Sequence, residues 1–100
     1  MAKYNILQDK SFAVRIVNLY KFLCEDKKEF VLSKQILRSG TSIGANVEEG
    51  IGGQSDKDFL AKLSISYKEA RETMYWLKLL FVTDYLNKEQ FDSILRDAEE

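Results

Sequence analysis

Carboxylates recur in groups along this chain: Glu48 beside Glu49, Glu69 three residues before Glu72, and Asp97 with Glu99 and Glu100. Two carboxylates held together can divide the work of general acid and general base. On a helix, a spacing of three would put Glu69 and Glu72 on one side. A di-iron bundle would need Glu-x-x-His pairs, and the chain contains no histidine. That removes the commonest base for activating a nucleophile and the commonest metal ligand. The single cysteine, Cys24, excludes an intramolecular disulfide. It falls on the apolar side of its segment, where a small core residue is the expected role. All five glycines (Gly40, Gly44, Gly50, Gly52 and Gly53) follow no strand and lack the order of a phosphate-binding loop. The expectation is a protein that is not an enzyme and uses no cofactor or metal.

What is left is a polar set suited to holding surfaces together. Arg38, Ser42 and Glu49 follow at steps of four and seven, which gathers them on one side of a helix, with Asn46 at its edge. Arg38 is placed to meet Glu69 and Glu72, and a guanidinium can grip a carboxylate through two parallel hydrogen bonds. One reading is a plain solvated face. The other is that Arg38, Ser42, Asn46, Glu49, Glu69 and Glu72 form a buried or half-buried network that sets the register of two helices, or of two subunits. If the site is fully buried, Arg38→Ala strands a carboxylate at a cost of about 3–5 kcal/mol. An acid–base pair would instead need an open cleft.

The elements that must position these residues are legible from periodicity. From Ser11 to Glu25, the residues Phe12, Ile16, Leu19, Tyr20 and Leu23 share one helical face, and the charged run Glu25 to Glu29 reads as a connector. A second helix starts near Ser33 as N-cap, with Ile36, Gly40, Ile43, Val47 and Ile51 as its stripe. Glycine inside a helix costs up to about 1 kcal/mol, so Gly40 and Gly44 imply either the close approach of a neighbouring backbone or a weak, kinked helix. Gly50, Gly52 and Gly53 end it. Ser55 to Asp58 resembles a capping box, and Phe59, Leu63, Ser66, Ala70, Met74, Leu77 and Phe81 carry a third helix to about Thr83, roughly 40 Å in all. Asn87 and Gln90 box the start of a fourth, continued by Phe91, Ile94, Leu95 and Ala98. There is no proline and no period-two alternation. Short connectors favour an all-α, antiparallel up-down-up-down four-helix bundle, a single domain over residues 1–100.

The third helix has more apolar surface than one stripe needs. At about 100° per residue, Ile65, Trp76, Leu79 and Leu80 fall away from the centre near Leu63, Ala70 and Phe81, beside Glu69 and Glu72. Such a mixed band predicts an interface that makes the protein a homo-oligomer; the rival is that Trp76 covers the rim of its own bundle. Fifteen basic and sixteen acidic residues leave a net charge of −1, which gives no general attraction to nucleic acid. The polar first ten residues lack a signal-peptide core, and no run approaches the ~20 apolar residues of a membrane helix. A cytoplasmic protein with no membrane partner is expected.

The stretch Arg38-Ser39-Gly40-Thr41-Ser42-Ile43-Gly44-Ala45-Asn46-Val47-Glu48-Glu49-Gly50 resembles the hallmark segment of the bacterial four helix bundle proteins, also called 23S ribosomal RNA intervening-sequence proteins. Asp58-Phe59, Lys62-Leu63, Lys68 to Thr73 and Tyr75-Trp76-Leu77 are similar to its second block, so the resemblance runs from about Phe12 to Leu95. Many relatives carry proline where this chain has Gly44. The resemblance implies an antiparallel four-helix subunit, a ring-shaped homopentamer, and kinship with the accessory protein of diversity-generating retroelements, a pentamer that binds a reverse transcriptase and nucleic acid. The functional expectation is a non-enzymatic self-assembling module acting near RNA; the alternative is an adaptor that docks a protein partner such as a reverse transcriptase. Lys3, Lys10, Lys27, Lys28, Lys34 and Arg38 could decorate one end of a ring, where repetition multiplies a weak patch. With no recognisable RNA-reading motif, any RNA binding should be weak and unspecific.

Overall fold

A computed structural model describes residues 10–53 and 55–99 of the chain; of Lys10 and Glu99 it gives the backbone only. Lys3, Glu100 and the side chains of Lys10 and Glu99, each named above, lie outside what is described. Among the described residues four helices follow in order: α1 (Lys10–Glu25), α2 (Leu32–Ile51), α3 (Asp56–Val82) and α4 (Lys88–Glu99). No strand occurs among the described residues.

The core forms where the apolar stripes meet. Phe12, Ile16, Leu19 and Leu23 of α1 are buried against Ile36 and Ile43 of α2, Ala70, Leu77 and Leu80 of α3, and Ile94 of α4. α2 and α3 pack along each other most extensively, α1 lies on α2, and α4 lies on α3 and touches α1. Phe81 stacks on Phe91 with ring centroids 4.6 Å apart, which ties α3 to α4. The connector Thr83 to Asn87 is tightened by Asp84, which adopts a positive φ of 70°.

The helix ends follow local chemistry, with two departures from expectation. Ser55 caps α3 by accepting the Asp58 amide at 3.1 Å. Asn87 and Gln90 make the full reciprocal box at α4: Asn87 Oδ1 accepts the Gln90 amide, and Gln90 Oε1 accepts the Asn87 amide. α2, however, begins one residue before Ser33, and Ser33 is buried and does not cap. Glu29 does that work from the connector, its two oxygens accepting the Leu32 and Ser33 amides at 3.0 and 2.7 Å. A carboxylate there satisfies two of the orphan donors of a helix start and suits its positive dipole end. At the other end of α2, no glycine takes the left-handed conformation. Gly52 stays near helical φ and its amide donates to the Glu48 carbonyl, while the Gly53 amide donates to that of Gly50. Ile51, expected on the α2 stripe, is exposed.

Gly40 explains itself by space. A Cβ built there would lie 2.7 and 2.8 Å from two carbons of the fully buried Ile16, so α1 and α2 close on each other at this point through a side chain, not a backbone. Gly50 meets α3 similarly, with Phe59 and Lys62 atoms 3.1 Å from a virtual Cβ.

Candidate functional site

The buried line of α3 is Ser66, Ala70, Thr73, Leu77 and Leu80. It is rotated from the stripe expected through Leu63 and Phe81, both of which are only half-buried. Leu80, expected at a subunit interface, is instead fully buried in the chain's own core. It follows Leu77 by one turn and joins the same core cluster. Ile65 is exposed, while Trp76 and Leu79 are half-buried, and Trp76 packs against the core margin.

Three of the six polar network residues come together. Arg38 on α2 reaches both Glu69, at 3.3 Å, and Glu72 on α3. Two consecutive turns of α3 present these carboxylates to one guanidinium, and Gln35 is 3.5 Å from the same arginine. Trp76 Nε1 donates to Glu72 Oε2 at 2.9 Å, so the indole is anchored to the cluster. The Arg38 side chain is 51% exposed, against 20% for Glu69 and 35% for Glu72, so the cluster is a solvent-facing clasp rather than a sealed pair. The other three residues turn elsewhere. Ser42 donates to the Ser39 carbonyl and Asn46 to the Ser42 carbonyl, both within α2. Glu49 pairs with Lys62 at 3.1 Å.

The register of α2 on α3 also has buried polar determinants: Ser66, expected on the α3 stripe, and Ser39 and Thr73, which the expected network did not include. Ser66 Oγ donates to the Ile43 carbonyl at 2.9 Å, and Thr73 Oγ1 lies 3.0 Å from Ser39 Oγ. Ser39, Ser66 and Thr73 are fully buried. Every buried side-chain polar atom among the described residues has a partner. Ser66, Ala70 and Leu77 lie on the expected stripe, and Thr73 and Leu80 follow it by the same helical period in place of Met74 and Phe81.

The Arg38 clasp spans the flank where α2 packs on α3. Cys24 is half-buried, and its thiol lies 3.7 Å from Ser33 Oγ. The Tyr20 phenol is raised above its ordinary pKa, first by a hydrogen bond with Cys24, then by that group's charge, then by loss of solvent. A shallow groove between α1 and α4, about 280 Å³, is lined by Arg15, Leu19, Phe22, Leu86 and Ile94. Its arginine is already engaged by Asp97 and Ser93. Among the described residues no group of three thiolate or carboxylate side chains is gathered as for a metal. No helix of the described residues is long and apolar enough to cross a membrane.

Among the described residues the fold is four helices with no strand, and a clasp joins the two longest of them. The model of the family described as 23S rRNA-intervening sequence protein matches residues 5–100, and the chain belongs to that family. A crystal structure of a protein of unknown function from the S23 ribosomal protein family of Bacteroides thetaiotaomicron is 60% identical. It superposes with a TM-score of 0.93, with 97% of this chain and 88% of that one covered. No curated protein matches the chain.

Proposed function

We propose that this protein is a non-enzymatic, self-assembling helical bundle of the cytoplasm that works near RNA, with a ring-shaped homopentamer as its assembled form. The observation that carries assembly is the α2–α3 flank. Ile65 is 40% exposed there, and Trp76 lies at the core margin one turn from the Arg38–Glu69–Glu72 clasp. An exposed aliphatic and a hydrogen-bonded indole about three turns apart on one side of α3, with a pre-ordered polar group between them, suit an interface with a polar rim. Placing both carboxylates on one arginine lowers the charge of the group from −2 to −1, which reduces the cost of covering the face. Work near RNA is supported by the description of the family, which ties it to 23S rRNA intervening sequences.

Within the subunit we read the helices as running up-down-up-down. Three contacts support this for α2 and α3: Ser39 with Thr73, Ile43 with Ser66 and Glu49 with Lys62 advance along one helix while retreating along the other. The deciding measurement is solution mass by light scattering at micromolar concentration. A mass several times 11.6 kDa is expected, and a monomer would sink the assembly reading.

A further inference from the structure

The charges of α3 are sorted by face. Taking Arg71 as the centre, Lys57, Tyr67, Tyr75 and Lys78 lie within about 40° of it on the helical wheel and Lys68 within about 60°. All six are exposed. Three of the four acids of α3 are elsewhere: Glu69 and Glu72 are turned to Arg38 of α2 and Asp58 is on that same side, while the exposed Asp56 lies about 60° from Arg71, as far as Lys68 does, in the first turn. None of the four cations, Lys57, Lys68, Arg71 and Lys78, forms an ion pair with a described residue. A chain of net charge −1 thus carries an unneutralised basic strip that runs about 30 Å along its longest helix.

From this juxtaposition we propose that the outer face of α3 binds a single-stranded nucleic acid, with Lys57, Lys68, Arg71 and Lys78 on its phosphates and Tyr67 and Tyr75 stacking on its bases. The inference rests on the reading that the protein works near RNA, and it names the surface and the form of the ligand. Sequence-tolerant binding of single strands combines a cationic track with aromatic faces, and this strip supplies both. Tyr67 and Tyr75 are 53% and 58% exposed, although a tyrosine ring is large enough to be covered at little cost. The Tyr75 ring stands edge-on to Trp76 with centroids 5.1 Å apart, and Trp76 is itself fixed by Glu72, so one stacking face is held in place before a ligand arrives. A second copy pairing this face with itself would set cation against cation, and a ring contact that set a different face on it is separated by the mass of the charge-reversed variant below. The strip is centred about 120–140° around α3 from Ile65 and Trp76, and it adjoins the assembly flank where Tyr75 stands against Trp76.

The test is fluorescence anisotropy with a labelled uridine oligomer of about 20 nucleotides, its DNA counterpart and an RNA duplex. Binding in the micromolar range is expected, with log K falling against log salt at a slope of about −3, from four phosphates at about 0.7 each. Arg71→Glu with Lys78→Glu should weaken binding more than about tenfold. Tyr67→Ala with Tyr75→Ala should weaken it at least about fivefold. The same change of charge at Lys21→Glu with Lys34→Glu, both exposed and off the strip, should alter it no more than about twofold. RNA and DNA strands binding alike leave the proposal intact, since phosphates and bases are common to both. A duplex bound as tightly as the strand, with no effect of the tyrosine changes, overturns it. So does strand binding that ignores the Arg71 and Lys78 reversal, in which case RNA association survives but its surface lies elsewhere. No binding at about 50 mM salt ends both readings. Light scattering is run on each variant: a loss of mass in the Arg71–Lys78 double variant would make the strip a subunit contact and overturn the proposal.

Discussion

Thr73 Oγ1 carries one proton and has two acceptors in reach, the Glu69 carbonyl at 2.8 Å and the Ser39 hydroxyl at 3.0 Å. If Thr73 donates to the carbonyl, it must accept from Ser39, and the pair then joins α2 to α3 in a site closed to water. Thr73→Val keeps the shape and removes the acceptor, so Ser39 loses its cross-helix partner. The expected loss is about 1–2 kcal/mol in urea unfolding, and adding Ser39→Ala should cost less than the sum of the two single changes. Arg38 is the contrasting case. Its clasp on Glu69 and Glu72 has good geometry, but the side chain is half in solvent. Screening by water reduces such a pair to about 0.5–1 kcal/mol, well below the cost expected had the site been sealed. Arg38→Ala should therefore lower the melting temperature by only a few degrees, about 2–8 °C for a domain of this size. About 1 M salt should erase most of the difference, since screening then acts within ~3 Å. A loss above about 3 kcal/mol would show that the clasp is covered in solution, by another subunit.

For whole helices, contacts at particular turns outweigh propensity. Alanine at Gly40 would gain about 1 kcal/mol in an isolated helix. Here its Cβ would meet Ile16 at 2.7 Å, and Ile16 is fully buried with nowhere to rotate. Overpacking of that kind costs about 1–3 kcal/mol, so Gly40→Ala should destabilise despite its better propensity. Gly52→Ala is the control: its nearest non-neighbour atom is 3.7 Å away and its φ is −78°. It should be neutral or slightly stabilising by the same unfolding assay. The start of α2 makes a related point. A search for Ser, Thr, Asp or Asn before the apolar run finds Ser33, but the donors are met by Glu29 reaching forward from a connector that Lys28 turns with a positive φ of 55°.

The whole molecule is slender, 43 × 23 × 19 Å, and its longest helix is only partly matched by the 16 residues of α1 and the 12 of α4. Among the described residues, two sides of α3 outside the core carry exposed groups, one with Ile65 and one with Arg71. On the α2 side, Trp76→Ala should lower solution mass at a given concentration while far-UV circular dichroism stays helical, because interface aromatics carry a disproportionate share of binding energy. Unchanged mass in that variant would place the assembly contact elsewhere.

The sequence by itself determined the four helices, their approximate limits, the caps at Ser55 and Asn87 and the family, because each of these depends on residues close together in the chain. Periodicity of apolar residues and side chains reaching one turn along the backbone are local physics. It also placed Arg38 opposite Glu69 and Glu72, since both sets follow from helical spacing. Tertiary structure alone decided how far each helix is rotated about its own axis. That rotation is set by the fit of one surface into another: Ile16 into the gap at Gly40, and Ser39 onto Thr73. A rotation of a few tens of degrees moved Leu80 from an expected interface into the core and left Arg38 half in water. It also turned Tyr67, Arg71 and Tyr75 outward as one basic, aromatic strip.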